Sequence, residues 1–168
     1  MDQSLIKKND FKVNLTSFLK GNKLKIIFFF ILLFIILLTL FAWSERKKKI
    51  NISLSEKHIK ASLLISEGKM DQARIIYEEI INNNNKFYSL LALNSILEKN
   101  LVNDKKLILG YFSKLENKNY PKETLDLIYL KKALYFIKIK ENEKGKKILN
   151  QLINQDSNLK DIAQEIIK

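Results

Sequence analysis

An uninterrupted apolar run near the N-terminus limits what this chain can fold into more than any other feature. Residues 26–43 read IIFFFILLFIILLTLFAW, with no charge and with Thr39 as the one polar side chain. Together with Leu24, the run supplies the ~20 residues that a helix needs to cross a hydrocarbon layer ~30 Å thick. A helix that is apolar on every face cannot be hidden by a soluble domain of this size. The sequence therefore predicts a transmembrane helix over residues 24–43.

A cleaved signal peptide is the alternative interpretation of the same run. The apolar region of a signal peptide is usually ~7–15 residues long and ends at a small-x-small cleavage site. Here the run is longer, and it is followed by SERKKK at residues 44–49. Trp43 also lies where interfacial aromatic residues are found at the end of a span. We therefore expect an uncleaved anchor.

The apolar run divides the chain into segments of different character. Residues 1–23 are predicted to be a short polar tail, residues 24–43 the span, residues 44–52 a basic juxtamembrane linker and residues 53–168 a helical domain. Basic residues are equally frequent on both sides of the span. The positive-inside rule therefore does not decide which end of the span faces the cytoplasm. The basic linker is either a snorkelling end of the span or a contact for anionic lipid headgroups.

The segment that follows the linker has apolar residues at helical spacing and polar breaks between them. One proline and four glycines are too few for a turn-rich sheet protein. We predict helices at Ser53–Glu67, Asp71–Asn82, Lys86–Lys99, Asp104–Glu116, Lys122–Lys140, Glu143–Asn154 and Asn158–Ile167. Asp71, Asn103 and Asn158 are the predicted N-caps. Short connections between such helices indicate an all-α domain of antiparallel neighbours.

A pair of small residues recurs along this domain. Ala61 and Ala73 are twelve residues apart, and Ala133 and Gly145 repeat the same spacing further along the chain. Small side chains are needed where two helices cross, and the offset between the two pairs is close to two tetratricopeptide periods of ~34 residues each. The middle unit matches poorly, since Ala92 has no small partner twelve residues on. The spacing predicts about three tetratricopeptide-repeat-like helix pairs with a capping helix, although an ordinary bundle shows such spacings by chance as well.

Several stretches resemble a family of bacterial inner-membrane proteins, the YfgM-like ancillary subunits of the Sec translocon. The resemblance is carried by the single span, by SEGKMDQA at 66–73, by NKFYSLLALNSILEKN at 85–100 and by KETLDLIYLKKALYFIKIKENEKGKKILNQL at 122–152. It implies a cytoplasmic N-terminus and a periplasmic repeat domain. It also implies protein partners, namely Sec translocon subunits and periplasmic chaperones, for a protein held in the lipid bilayer.

The side chains that catalysis and metal binding need are scarce. The chain has one histidine, His58, and no cysteine, which is too few ligands for a zinc site. Ser55 and Ser62 neighbour His58 along a helix, but no triad is indicated. The four glycines are isolated, so no phosphate-binding loop is formed. We expect no enzyme activity, no catalytic or metal site, no cofactor and no small-molecule substrate.

Lysines crowd the fifth and sixth predicted helices. They are Lys131, Lys132, Lys138, Lys140, Lys144, Lys146 and Lys147. A phosphate-binding face has this composition. However, these helices lack arginine, which forms bidentate hydrogen bonds with phosphates and bases. A solvated face is favoured over a contact for anionic lipid or an acidic partner, and nucleic acid is not an expected partner.

The fifth predicted helix carries an apolar stripe that could bind a partner protein. The stripe consists of Leu127, Leu130, Leu134 and Ile137. Such a stripe either belongs to a central helix buried on two sides or lines a groove for a partner's helix or extended segment. These four residues are the predicted partner-binding site.

The function predicted from these features is a membrane-anchored scaffold for other proteins. Three roles stay open: a periplasmic adaptor for translocation or chaperone hand-over, a scaffold for another envelope process, and a cytoplasm-facing tether for anionic partners. The second role covers outer-membrane assembly, cell division and cytochrome maturation.

Overall fold

The computed structural model describes residues 22–83 and 85–168, and all regular secondary structure in them is helical. We number the helices in chain order: α1 (Lys23–Ser66), α2 (Met70–Asn82), α3 (Lys86–Glu98), α4 (Lys105–Glu116), α5 (Lys122–Lys138), α6 (Asn142–Asn154) and α7 (Lys160–Ile167). The predicted all-α class is confirmed for these residues. The predicted tail, residues 1–23, lies outside the described residues except for its last two.

Helix α1 contains the apolar run and leaves it uncovered. None of the side chains in its most apolar 18-residue window is buried. The hydroxyl of Thr39 donates a hydrogen bond to the Ile36 carbonyl oxygen at 2.7 Å. A polar group inside a hydrocarbon layer must be satisfied in this way, within its own helix. Helix α1 is therefore long and apolar enough to span a membrane, as the sequence predicts.

The basic segment after the apolar run is helical and is part of α1, which continues to Ser66. Two contacts at helical spacing hold its side chains. The Lys47 ammonium lies 3.6 Å from the centroid of the Trp43 ring, and Lys48 Nζ lies 2.8 Å from Glu45 Oε1. Such pairs stabilise a helix, and the predicted basic juxtamembrane linker, residues 44–52, is helical. The chain divides into two compact units between Ile50 and Asn51.

The second unit, residues 51–168, contains two groups of buried side chains. The first core cluster joins the end of α1 to α2, α3 and α4, and it contains Leu54, Ala61, Ala73, Tyr77, Ile80, Ile81, Ala92, Leu93, Ile96, Val102, Ile108, Tyr111, Phe112, Leu115, Ile128 and Tyr135. The second core cluster joins α5, α6 and α7, and it contains Leu130, Ala133, Leu149, Leu152 and Ala163. Helix α5 contributes to both clusters and connects them.

The two predicted pairs of small residues lie in these cores. Ala61 and Ala73 have no exposed surface. In the second pair, a Cβ added to Gly145 would lie 2.9 Å from the Ala133 carbonyl oxygen and 2.7 Å from a side-chain carbon of Ile137. Only a residue without a side chain allows α5 and α6 to approach this closely. The predicted close approach at Ala133 and Gly145 is confirmed.

Four helices of this unit end in the same left-handed turn. The residue with positive φ is Gly68 after α1, Asn100 after α3, Lys140 after α5 and Asp156 after α6. In each case the next residue's amide bonds back to a carbonyl of the last helical turn, at 2.8–3.1 Å. This is the Schellman arrangement, which satisfies carbonyls left free at a helix end. Gly68 and Lys140 are separated by the same offset as the two pairs of small residues.

The predicted helix ends are within two residues of the observed ones for α2 to α7, but the three predicted N-caps are wrong. The caps are Lys69 for α2, Asp104 for α4 and Leu159 for α7. Asp104 accepts hydrogen bonds from the amides of residues 106 and 107 at 2.7 and 3.3 Å. Its neighbour Asn103 therefore precedes the cap, while Asp71 lies within the first turn of α2, where an acidic side chain complements the helix dipole.

Replacing Gly145 by alanine should destabilise the domain, whereas the same change at Gly110 should stabilise it. Alanine improves the intrinsic stability of a helix interior by about 0.5–1 kcal/mol. At Gly110 nothing lies within 4 Å of the added Cβ, so this gain is expected in full. At Gly145 the new carbon meets backbone, and overpacking of this kind costs about 1–3 kcal/mol.

Urea unfolding of the two variants, followed by circular dichroism, measures both changes. Equal stabilisation of Gly145→Ala and Gly110→Ala would contradict the close approach of α5 and α6.

Candidate functional site

An open cavity of about 300 Å³ lies between α3, α4 and α5. Its lining residues are Ile96, Leu97, Glu98, Asn100, Val102, Asn103, Ile108, Lys131, Leu134, Tyr135, Lys138 and Ile139. We call it the α3–α5 cavity. Ile96, Ile108 and Tyr135 belong to the first core cluster, so its floor is part of the packed interior. Leu134 is 43% exposed and contributes apolar surface that a partner can cover.

Polar groups surround the apolar floor of the α3–α5 cavity. Lys138 Nζ donates a hydrogen bond to the side-chain oxygen of Asn100 in the turn after α3. Burial raises the pKa of the Tyr135 hydroxyl, and the charges of Glu141 and Asp104 raise it further. The hydroxyl therefore stays protonated at neutral pH and keeps a hydrogen-bond donor at the cavity. A cavity with an apolar floor and a few hydrogen-bond donors at its edge can bind an apolar side chain of a partner whose neighbouring groups are polar.

The four predicted partner-binding residues do not share one surface. Leu134 lines the α3–α5 cavity, while Leu130 is 7% exposed and belongs to the second core cluster. Ile137 packs partly buried against the same cluster, and Leu127 is half-buried. Leu130 is thus a core residue, and Leu134 is the member of the stripe that is available to a partner. The stripe divides because α5 is packed on two sides.

The remaining walls of the cavity come from residues that sequence reasoning did not single out. Ile96, Leu97 and Val102 lie at the end of α3 and in the following turn, and Ile108 lies in α4. They belong to other elements than Leu134 and are distant from it along the chain. Their apolar character indicated helix packing, but nothing in their spacing indicated which of them would border a cavity.

His58 is packed between helices, and its contacts in the described part of the chain are with Tyr77, Ser95 and Ser62. Its ring lies edge-on to Tyr77 at 5.2 Å between centroids, and its Nε2 lies 3.4 Å from the Ser95 hydroxyl oxygen. Burial lowers the pKa of the His58 imidazole, which favours the neutral ring at pH 7. Ser62, the neighbour on α1, donates its hydroxyl proton to the His58 carbonyl oxygen at 3.1 Å and lies 3.0 Å from the Tyr77 hydroxyl. These contacts join α1, α2 and α3.

Ser89 and Lys118 lie at hydrogen-bonding distance, as the serine and lysine of a catalytic pair do. The hydroxyl oxygen lies 2.7 Å from Lys118 Nζ, and burial together with the Lys114 charge lowers the pKa of that ammonium. Ser89 has no exposed surface, so no substrate reaches its hydroxyl. The ammonium also donates to the carbonyl oxygens of Ile81 and Asn83, at 3.3 and 2.5 Å.

A cation on the last carbonyls of a helix stabilises that end. Lys118 therefore caps α2 from the loop after α4, and its role is structural. No local sequence pattern indicates this contact, because Ser89 and Lys118 lie in different elements, far apart along the chain.

A second buried polar contact joins α5 to the turn before α7. Asp126 and Ser157 are 4% and 5% exposed, and the serine hydroxyl donates to Asp126 Oδ2 at 2.6 Å. The Ser157 oxygen in turn accepts the Leu159 amide at 3.2 Å. Because both residues are buried, the contact holds the turn before α7 in place and is not accessible to a ligand.

The lysines of α5 and α6 are partly neutralised within the domain. Lys132 Nζ lies 2.8 Å from Glu116 Oε1, and Lys144 Nζ lies 2.8 Å from Glu141 Oε2. Lys105 also binds Glu141, and these two ammonium groups lower the pKa of the Glu141 carboxyl. Glu116 of α4 and Glu141 at the N-cap of α6 therefore break up the run of positive charge that the sequence shows.

Comparisons with known proteins add no identification, since no protein-family model, no curated protein and no solved structure matches the chain. Among residues 22–83 and 85–168, no three histidine or carboxylate side chains come together as a metal site would require. The α3–α5 cavity is the candidate binding surface considered below.

Serine substitutions at Leu130 and Leu134 should have very different effects on stability. Leu130→Ser removes buried apolar atoms and places a hydroxyl in the second core cluster, which should cost about 2–4 kcal/mol. Leu134→Ser acts on a side chain that is 43% exposed, and we expect a cost below about 1 kcal/mol. Thermal unfolding of both variants measures the difference. Equal destabilisation would show that Leu134 is also a core residue.

Proposed function

We propose that this protein is a membrane-anchored scaffold that binds other proteins through its helical domain. In this proposal the apolar part of α1 spans the membrane, and the α3–α5 cavity receives an apolar side chain from a partner segment. The exposed Leu134 above a floor made of core side chains is the observation that carries the proposal. Leu134 can be covered by a partner without any rearrangement of the domain.

The size of the cavity supports a peptide rather than a larger ligand. Its volume of about 300 Å³ is at the lower end of the range for ligand pockets, ~300–1,000 Å³. A helix or extended segment that places one or two anchors in a groove needs no more. Lys131 and Lys138 line the cavity and would favour acidic residues beside the apolar anchor.

We further propose that the domain is a tetratricopeptide-repeat-like stack. The pairs would be the end of α1 with α2, α3 with α4, and α5 with α6, and α7 would cap the stack. The sequence recurrence supports this, because the buried small residues and the left-handed turns at Gly68 and Lys140 follow one common offset. The contact between α3 and α4 is smaller than that between α5 and α6, in line with the poor sequence match of the middle unit. Stacked repeats present extended binding surfaces.

For location we propose the bacterial inner membrane, with the N-terminus in the cytoplasm and the helical domain in the periplasm. The proposed partners are Sec translocon subunits and periplasmic chaperones, and the support is the resemblance of residues 66–73, 85–100 and 122–152. An anchor raises the concentration of the domain next to membrane machinery, so even a weak contact becomes effective.

A photo-crosslinking amino acid at position 134 should capture a partner that the same group at position 107 does not. Leu107 is the matched control, because it is 44% exposed and does not line the α3–α5 cavity. Both variants would be expressed as the full chain and irradiated in cells. Mass spectrometry should identify a translocon subunit or a periplasmic chaperone in the adduct at position 134. Identical adducts at both positions, or none at position 134, would contradict a binding role for the cavity.

Alkaline phosphatase fused after Lys168 should be active, because the enzyme folds only after export. A cytoplasmic reporter fused at the same residue is the control and should be inactive. The reverse pattern would exclude the periplasmic roles and leave the cytoplasm-facing tether.

A further inference from the structure

Several loops of the helical domain meet at the end where the chain enters it. The domain begins at Asn51, and the Asn85 side chain donates a hydrogen bond to the Asn51 side-chain oxygen at 2.6 Å. The start of α3 therefore lies beside the point of entry. The Tyr120 hydroxyl donates to the Lys86 carbonyl oxygen at 2.7 Å, which brings the loop before α5 to the same place. We call this part of the domain the entry end.

A large aromatic side chain is exposed at the entry end. Phe87, in the first turn of α3, is 67% exposed. It contacts the ring of Tyr88 edge-on, at 5.1 Å between centroids. Among the large apolar side chains of residues 51–83 and 85–168, Phe87 is the most exposed. One exposed apolar side chain is not by itself a binding patch, so its meaning depends on the groups that lie at the same end of the domain.

Three exposed lysines also lie at the entry end, and no ion pair neutralises their charges. Lys114 Nζ donates to the Asn82 side-chain oxygen at 2.5 Å, and Lys122 Nζ donates to the Gln155 carbonyl oxygen at 3.1 Å. Lys86 donates to a backbone carbonyl in the loop before α5. All three acceptors are neutral, and none of the three lysines forms an ion pair within the described residues. The entry end therefore combines an exposed apolar side chain with three unpaired positive charges, against one exposed carboxylate, Glu123, in the first turn of α5.

The chain itself limits how far the entry end can lie from the proposed span. Asn51 follows Trp43 by eight residues, and eight residues reach at most about 29 Å even when fully extended. A folded domain of this length is about 30 Å across. The entry end is thus always within about one domain diameter of the bilayer in which Trp43 would sit.

We propose that the entry end rests on the bilayer surface, with Phe87 in the interface and Lys86, Lys114 and Lys122 against anionic lipid headgroups. This inference depends on the proposed membrane span. Phenylalanine on an interfacial surface inserts at the boundary between headgroups and acyl chains, and basic side chains beside it add attraction to anionic lipid. The α3–α5 cavity is lined by the last residues of α3, whereas Phe87 lies in its first turn, so contact with the bilayer at the entry end would leave the cavity open to partners.

Tryptophan fluorescence of the full chain in lipid vesicles tests the proposal. Trp43 is the single tryptophan, so Trp43→Phe with Phe87→Trp places one reporter at the entry end. Vesicles of phosphatidylcholine with phosphatidylglycerol, brominated in their acyl chains near the headgroups, would quench a ring in the interface. We expect a blue-shifted emission that loses intensity in these vesicles. The loss should be smaller in phosphatidylcholine alone and after Lys86→Gln, Lys114→Gln and Lys122→Gln are added.

Met70→Trp, also in the Trp43→Phe chain, is the matched control. Met70 is 45% exposed and begins α2, whose opposite end reaches Asn82, about 18 Å away along the helix. We expect no quenching there. Equal quenching at positions 70 and 87 would overturn the orientation.

The wild-type chain, whose single tryptophan is Trp43, distinguishes failure of the proposed bilayer contact from failure of the proposed span. If Trp43 is quenched while a tryptophan at position 87 is not, the entry end faces water or another protein, and the inference fails while the anchor stands. If Trp43 is not quenched, the proposed span fails and this inference fails with it. Circular dichroism of each variant verifies that its helical domain is folded.

Discussion

The removal of one apolar helix surface from water is the constraint on which the other features of this protein depend. Between Ile27 and Phe41 each large apolar side chain of α1 is at least 41% exposed. At ~25 cal/mol per Å² of apolar surface, such a surface is too costly to leave in water. Its one polar side chain, Thr39, is satisfied by the helix itself. A lipid bilayer meets these requirements, and the anchor in the proposed function depends on them.

In the helical domain, the position of α5 decides what is buried and what is available. The helix supplies Ile128 and Tyr135 to the first core cluster and Leu130 and Ala133 to the second. The close approach at Gly145 draws α6 against one of its sides. What is left of its surface, around Leu134, faces α3 and α4 across an open cavity. The candidate site is thus a consequence of a helix packed on two sides but not on a third.

Local patterns predicted much of this fold. Helical spacing and polar breaks located α2 to α7 to within two residues at their ends, and the small residues at Ala133 and Gly145 predicted where α5 and α6 approach. The offset between the pairs of small residues also appears in the matching turns at Gly68 and Lys140. These features depend on residues close in sequence or on a repeated spacing, which one sequence contains. Residues 44–52, predicted as a basic juxtamembrane linker, are helical and belong to α1, and the lysine, arginine and glutamate among them are good helix formers.

The site was less predictable because it depends on contacts between distant residues. The stripe on α5 was found, but its division between the core at Leu130 and the cavity at Leu134 depends on where α3 and α6 lie. The Lys118 cap on α2 and the buried contact between Asp126 and Ser157 both join residues that are far apart along the chain. Spacing along one helix contains no information on such contacts.

The intact mass of the chain recovered from membranes tests the central claim most directly. Membranes from cells that express the untagged protein would be washed with alkaline carbonate, which removes peripheral proteins, and the retained protein would be weighed by mass spectrometry. The account predicts a retained chain of 19.7 kDa that still contains the apolar run. A shorter, soluble chain that begins after Ala42 would show that the run is a cleaved signal and would contradict the account.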